Sequence, residues 1–482
     1  MKKTGFIITV IFIGLTGLLK AQGSYEALLF SQSDYLGTAR FMGAGGAFGV
    51  TGGDFSAVNT NPASIGLYKR SEVSITPLSL AFNRSESTYL GSPGSAKRTQ
   101  YTFPQAGIVI ASPINRNNQW RFWQFGFGYN RLADYNNTYR FNATTNSTMM
   151  DMVVDRINGA VTYNNLTGDA YLAWNNWLID TFPGTNNQYY SPYSGNAINQ
   201  TAIVKRSGAI DEMTFTFGGN YADKLYIGAT IGMPFLSFKE VSTYTEAPAD
   251  NQPISGINGY KVVSEQRNSG AGINLKLGIT YQPVSFMRIG VGFHTPTYFW
   301  RVRDNFTRSL TADYSNGNHN TDSYSNYFRF AFTSPLKFNV GASFIIMKRA
   351  FVAAEYEFQN YGMANLYADD YDFANENSDI THNFGISHNV RVGAEVNLTE
   401  SFALRAGYRL KTSPYKNADS EYDNTTHYVS AGLGFKGRHF FGDLAYVYRI
   451  NRDSYWIYDP VGEPGLYSNK AHGIVATVGY KF

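Results

Sequence analysis

From Ser71 to Phe482 the chain is written largely in period two, apolar residues alternating with polar ones over short segments separated by runs rich in Asn, Gly, Asp and Pro. The alternation is sharpest at the carboxy-terminus, where Ile474, Ala476, Val478, Tyr480 and Phe482 share one face of a single extended segment. Strands are expected near 71–83, 101–112, 119–132, 207–220, 224–240, 262–281 and 285–301. A second set is expected near 325–346, 349–361, 384–398, 401–412, 425–436, 438–450 and 469–482. The total is about 14, an even number as a single-chain bacterial barrel requires.

The two faces of each strand differ in a way that fixes their surroundings. Phe402, Leu404, Ala406, Tyr408 and Leu410 point one way, and Arg405, Gly407, Arg409 and Lys411 the other. An arginine facing lipid at mid-membrane costs about 2 to 4 kcal/mol, so the charged face must be the lumen and the apolar face the lipid side. The same sorting puts Glu355, Glu357, Arg391, Glu395, Asp443 and Arg449 inside. The expected fold is an all-β transmembrane antiparallel barrel over 71–482, in which the last strand closes against the first. Short connections (Gln282-Pro283-Val284, Met347-Lys348, Thr399-Glu400, Lys436-Gly437) alternate with long polar ones such as 304–324 and 363–383. Short turns mark the periplasmic side, which places both ends of the barrel there, in the outer membrane of a Gram-negative cell.

Composition agrees with this reading: aromatic residues make up 16% of the chain, with Tyr 36 and Phe 35, enough for two interfacial girdles. Residues 1–21 read as a secretory leader, with Lys2 and Lys3 before the apolar run and Ala21 at the expected cleavage site. With Cys 0, no disulfide, thiol chemistry or lipid-modified cysteine is available. The formal charge of +4 falls close to neutrality once Lys2, Lys3 and Lys20 leave with the leader, so a nucleic-acid partner has no support. The seven histidines are scattered without a metal-ligand spacing, and Phe48 breaks the G-x-G-x-x-G pattern among the early glycines. No enzymatic activity and no cofactor are expected.

Two segments depart from the strand pattern. Residues 22–70 are glycine-rich and irregular, and because they precede the first strand they either hang below the barrel or fill its lumen as a plug. The long extracellular connection 133–206 carries Met150, Val153, Val154 and Ile157 at helical spacing. Its Met149, Met150, Met152, Trp174, Trp177 and Leu178 are candidates to capture an alkyl tail, at about 0.8 kcal/mol per buried methylene. The competing reading is that they pack the loop onto the barrel mouth.

The stretch Gly52 to Leu67, with Asn61-Pro62-Ala63 at its centre, and Gly37-Thr38-Ala39-Arg40-Phe41-Met42-Gly43 upstream resemble the N-terminal hatch of the FadL/TodX family of outer-membrane channels for long-chain fatty acids and hydrophobic compounds. The resemblance continues in Ser334-Pro335-Leu336-Lys337, Ala354 to Phe358, Arg391 to Glu395, Leu404 to Tyr408 and Ser413-Pro414-Tyr415. It implies a 14-stranded barrel, a hatch over 22–70, ligand capture at extracellular loops, and lateral release through the wall as the hatch shifts. The implied ligand is a hydrophobic small molecule, with long-chain fatty acids foremost.

A fatty-acid carboxylate would seek a lumenal cation, for which Arg391, Arg405 and Arg409 are candidates; pairing with Glu355, Glu357 and Glu395 is the competing assignment. Gly126 and Gly128 in the third strand are the preferred place for a kink and lateral opening, with Pro234 and Pro296 as alternatives. The same glycines would otherwise only relieve crowding beside Phe125 and Phe127. A monomer is expected, surrounded by outer-membrane lipid and lipopolysaccharide and delivered by the barrel assembly machinery, which reads terminal aromatics such as Phe482. A FadL-like barrel serving as a partner-binding component of a protein secretion system is the alternative function.

Overall fold

The alternating segments form a closed antiparallel barrel of 14 strands. The computed structural model describes residues 22–34, 36–114, 119–347, 349–417, 422–458 and 462–482; the expected leader, 1–21, lies outside the described residues. The first half of the ring runs through β1 (Glu72–Tyr89), β2a and β2b (Ser92–Thr102, Gln105–Pro113), β3a and β3b (Trp120–Asp134, Asn137–Thr145), β4 (Ile198–Tyr221), β5 (Leu225–Pro248), β6 (Ile257–Val284) and β7a and β7b (Met287–His294, Tyr298–Tyr314). The second half is β8a and β8b (His319–Thr333, Lys337–Ile346), β9 (Ala350–Asn360), β10 (Ile386–Asn397), β11 (Phe402–Lys411), β12 (Thr426–Lys436), β13 (Phe440–Tyr455) and β14 (Gly465–Lys481). The ring closes where β1 pairs with β14, Glu72 opposite Lys481 through Thr88 opposite Leu466. The Phe482 amide donates to the Ser71 carbonyl at 3.0 Å, so the last residue does terminate the closing strand.

The ring inverts the usual sorting of a soluble protein. Ile231, Leu277, Val291, Val340, Val352, Val392, Leu433, Leu444 and Val478 are exposed on its outside, while Glu355, Glu357, Arg391, Glu395, Arg405 and Asp443 are buried within. Apolar groups left to lipid and charges withdrawn from it are what a membrane solvent demands. No helix among the described residues is long and apolar enough to cross a membrane.

Two expected connections prove to be partly strand. The stretch 304–324 is mostly a hairpin extension of β7b and β8a, paired from Tyr298 opposite Thr333 to Asp313 opposite His319. Its outward Thr307 and Thr311 are polar while Leu310 and Ala312 point into a core, so alternation persists without an apolar outer face to reveal it. Likewise β3b and β4 extend into the 133–206 loop, Asn137 opposite Arg206 to Thr145 opposite Ile198.

The remainder of that loop holds α3 (Met149–Ile157) and α4 (Gly168–Asn175). Thr148 and Asp151 form a capping box at the start of α3. Both helices pack with Tyr244, Tyr260, Val262 and Leu310 into one hydrophobic core, a cap at the long-loop end of the barrel.

The described residues of the segment 22–67 are enclosed by the strands. Two helices precede those of the loop, α1 (Gln22–Ser31) and the short α2 (Ala39–Gly43), and α1 places Ala27, Leu28 and Phe30 against Phe238, Phe299 and Phe332. Beyond it, the Ala39 amide donates to Thr477 Oγ1 on β14 (2.7 Å), the Gly49 amide to Glu355 Oε1 on β9 (2.5 Å), and Gln124 Nε2 on β3a to the Gly66 carbonyl (3.1 Å). The segment thus touches inward side chains on widely separated parts of the ring.

Candidate functional site

The Asn-Pro-Ala motif owes its conformation to local chemistry. Asn61 caps a short 3-10 helix, Pro62–Leu67, by accepting the Ala63 amide at 3.0 Å, and Pro62 occupies the first turn, where no amide donor is needed. Asn61 Nδ2 then donates to Thr280 Oγ1 on β6 at 3.2 Å. Gly278 and Gly228 lie beneath the motif, where any Cβ would collide with Asn61 Oδ1 and the Pro62 carbonyl. A preceding turn, Gly45-Gly46, has φ of +64° and +80°, a region open to glycine without penalty.

Ion pairs join this segment to the wall. Arg40 Nε lies 2.8 Å from Glu395 Oε2, Arg405 Nε 2.7 Å from the same oxygen, and Lys436 Nζ 3.0 Å from Glu395 Oε1. Arg405 Nη1 also meets Asp443 Oδ1 at 2.6 Å. Burial opposes the charge on Arg40, yet Glu395 beside it holds the guanidinium above its ordinary pKa. Arg391 pairs with Glu357 at 2.6 Å and Glu355 at 3.4 Å.

Of the three arginine candidates, Arg391 and Arg405 are therefore held by carboxylates of the wall. Arg409 donates to the Asp34 carbonyl at 2.5 Å and lies 3.8 Å over the Tyr428 ring.

The loop candidates are also engaged. Met149, Met150 and Leu178 are at most 1% exposed, Met152 is buried and Trp174 half-buried, all in the core of the cap. Trp177 alone of the six is open, at 67% exposure.

Gly126 and Gly128 do not interrupt the third strand: both pair without irregularity, opposite Val109 and Gly107 on β2b and Thr216 and Thr214 on β4. Instead they admit the N-terminal segment. A Cβ at Gly126 would stand 2.7 Å from Ile65 Cδ1, and one at Gly128 would overlap the Phe55 ring. Pro234 pairs with Glu212 on β4, but the ladder from β5 to β6 lapses at Met233-Pro234, between Phe235 opposite Ala271 and Gly232 opposite Asn274, and Pro296 sits in the gap between β7a and β7b.

The third strand breaks elsewhere, at Tyr135-Asn136, and β2 breaks beside it at Phe103-Pro104. Past these points β2a pairs with β1 and β3b with β4, and among the described residues no main-chain ladder joins β2a to β3b. Side chains stitch this seam. Arg98 Nη1 donates to the carbonyls of Asn137 (3.1 Å) and Arg206 (2.5 Å), and Arg98 Nη2 to Asn136 Oδ1 (2.8 Å). Gln100 Nε2 reaches Asp134 Oδ1 at 3.2 Å. Unpaired main-chain groups in a barrel wall need such partners, because lipid offers none.

Behind the seam lies a cavity of about 100 Å³ that Asp134, Asn136 and Asn137 share with α1 and with Arg206, Lys411 and Arg449. Among the described residues, the buried donors Arg206 Nη2 and Arg449 Nε have no hydrogen-bond partner there. A second cavity, about 50 Å³, lies between α1 and the broken strands β7 and β8, with Lys276, Lys337 and His294 in its lining. Neither the seam nor Arg206 and Lys276 stood out by sequence, whereas alternation had already put Lys411 and Arg449 on the lumenal face. The available signals were Pro104 inside a strand pattern and the Asn136-Asn137 dipeptide between two alternating halves.

No protein-family model matches the chain, and no curated protein matches it. Solved structures do. The Pseudomonas putida toluene transporter TodX is 12% identical and aligns over 94% of this chain and 100% of its own, with a TM-score of 0.53. A Pseudomonas aeruginosa FadL homologue is 13% identical over 94% of this chain and 100% of its own, also at 0.53. The chain therefore has the fold of the FadL/TodX outer-membrane channels.

Proposed function

We propose that the protein is an outer-membrane channel for passive uptake of hydrophobic compounds, with residues 22–67 as its hatch and the β2a–β3b seam as its lateral exit. The observation that carries this reading is the seam itself: a stretch of wall with no main-chain ladder among the described residues, directly in front of a lumenal cavity. A ligand leaving there has side-chain hydrogen bonds to displace rather than a ladder. It enters lipid without crossing water, which suits an apolar tail.

The cavity's lining favours an amphiphile with an anionic head, such as a long-chain fatty acid. The carboxylate would meet Arg449, Lys411 and the Nη2 of Arg206, whose Nε lies 2.6 Å from Glu240 Oε2, in place of Arg391 and Arg405, which are each met by two carboxylates of the wall. The buried unpartnered donors supply the desolvated cationic contacts that a carboxylate requires. The long loops and the cap would face the cell exterior, with both ends of the barrel in the periplasm.

The chain lacks cysteine, so a pair introduced at Gln100 and Asp134 reports on the seam alone. Joining that pair with a short cleavable thiol cross-linker should abolish oleate uptake by cells expressing the protein, and cleaving the linker should restore it. Uptake that continues through a locked seam would refute lateral exit there. Wild-type cells that take up no more oleate than cells lacking the gene would favour the secretion-partner role, for which exposed Trp177, Tyr171 and Phe182 offer a docking surface.

A further inference from the structure

On the outer face of the barrel three cations stand in one cross-strand row. Arg84 on β1 is directly opposite Lys470 on β14 and directly opposite Lys97 on β2a. The Arg84 and Lys470 side chains are 56% and 38% exposed, and Lys97 is exposed. Glu86 is shared between Arg84 Nε (3.1 Å) and Lys470 Nζ (2.8 Å), and no ion pair to Lys97 occurs among the described residues. Like charges directly opposite one another destabilise a sheet, so the row gains when an anion is placed on it.

Its height on the wall says which anion. The next outward positions toward the short-turn end are Phe82, opposite His472 and Thr99, and then Leu80, opposite Ile474 and Tyr101. The cations therefore stand at the polar edge of the lipid-facing band. An independent marker fixes that edge. Tyr446 Oη lies 2.7 Å from His472 Nδ1, Tyr408 Oη 2.8 Å from His427 Nδ1, and Tyr356 Oη 2.6 Å from His388 Nδ1. These pairs occupy the same diagonal register on successive hairpins, and His472, in the last of them, is directly opposite Phe82.

We infer that Lys97, Arg84 and Lys470 form a binding site for the phosphorylated sugar headgroup of an outer-leaflet glycolipid, whose acyl chains lie along the apolar wall beneath. A phosphate offers three oxygens for a guanidinium fork and two ammonium groups. Long cationic side chains at this level reach the headgroup while their methylenes stay on the apolar wall. The inference rests on the outer-membrane orientation proposed above. Its test reads lipid binding and not transport, so the two can fail separately.

The full chain in detergent is to be incubated with bisphosphorylated lipid A or its dephosphorylated form, and bound lipid counted by native mass spectrometry. The phosphorylated lipid should be retained preferentially. K97Q, R84Q and K470Q should each weaken it about fivefold, and the triple variant about a hundredfold. E86Q, which removes the acid from the row, should bind about fivefold more tightly and keeps the test decisive if the triple variant fails to fold. Heat-modifiable migration on gels reports the folding of every variant. Equal retention of both lipids, unchanged binding by folded variants, or displacement by inorganic phosphate would overturn the assignment to a lipid headgroup.

Discussion

Gly407 on β11 and Gly45 in the N-terminal segment meet backbone to backbone: a Cβ on Gly407 would overlap the amide nitrogen of Gly45 and the carbonyl carbon of Ala44. A side chain there has no space while the segment is in place. Gly407→Val should therefore displace residues 39–49, because overpacking a filled interior costs about 1 to 3 kcal/mol. In planar bilayers the wild type should be closed to small ions and the variant conducting. Gly442→Ala, whose Cβ would meet only the Thr477 carbonyl at 3.9 Å, should stay closed. Equal conductance of wild type and G407V would show that the segment does not seal the lumen.

Charge sorting was legible in sequence because lipid is an unforgiving solvent: Arg405 and Arg409 alternate with Leu404 and Tyr408, and only one assignment of faces is tolerable. The strand count followed from the same rule, as did closure at Phe482. What stayed hidden were relations between distant segments. Whether β2a and β3b share a ladder depends on two breaks, Phe103-Pro104 and Tyr135-Asn136, lying side by side in space. Gly126 and Gly128 looked like a kink because a strand glycine leaves a gap, but Phe55 and Ile65 fill it. The methionines of α3 looked available because the strand extensions that bury them, around Tyr244 and Leu310, have polar outer faces.

Glu395 serves three cations, Arg40, Arg405 and Lys436, whereas Arg40 has a single carboxylate partner among the described ion pairs. Glu395→Gln should thus be the more damaging change. It strips a partner from buried Arg405 and from Arg40 together, for which about 3 to 5 kcal/mol is typical, while Arg40→Gln leaves Glu395 paired twice over. Denaturant unfolding in detergent should rank wild type above R40Q and R40Q above E395Q. The reverse order would mean that Arg40, rather than the wall, carries the stability of the network.

The cap separates packing from exposure within one loop. Met150 is fully buried among Tyr260, Val262 and their neighbours, so Met150→Ala should cost about 2 to 5 kcal/mol and expose 146–197 to proteases. Trp177, 67% exposed, should leave protease resistance unchanged when replaced by alanine. If apolar ligands first land on the cap, W177A should lower oleate uptake at low oleate concentration and recover at high concentration. A variant with wild-type uptake at every concentration would remove Trp177 from the capture step.

Glu26 gives the N-terminal segment a dependence on pH. It sits on α1, where burial, followed by the nearby Asp304 and Glu240 carboxylates, pushes its own carboxyl well above the ordinary 4.5, and Gln266 Nε2 donates to its Oε1. A docked carboxyl with a raised pKa holds its proton more tightly than the undocked one. Its contribution to docking is therefore complete below the ordinary carboxylate range and is lost as pH rises through the raised value. α1 should be held most firmly in acid. Hydrogen exchange of residues 22–31 should accelerate with pH beyond its intrinsic chemical rate, by up to about tenfold per pH unit between those limits. Glu26→Gln keeps a neutral hydrogen-bonding group in the same space, so it should flatten that excess while leaving the acid-side protection in place. Persistence of the full pH dependence in E26Q would assign it to the other carboxylates of the lumen, with Asp304 the next to be replaced.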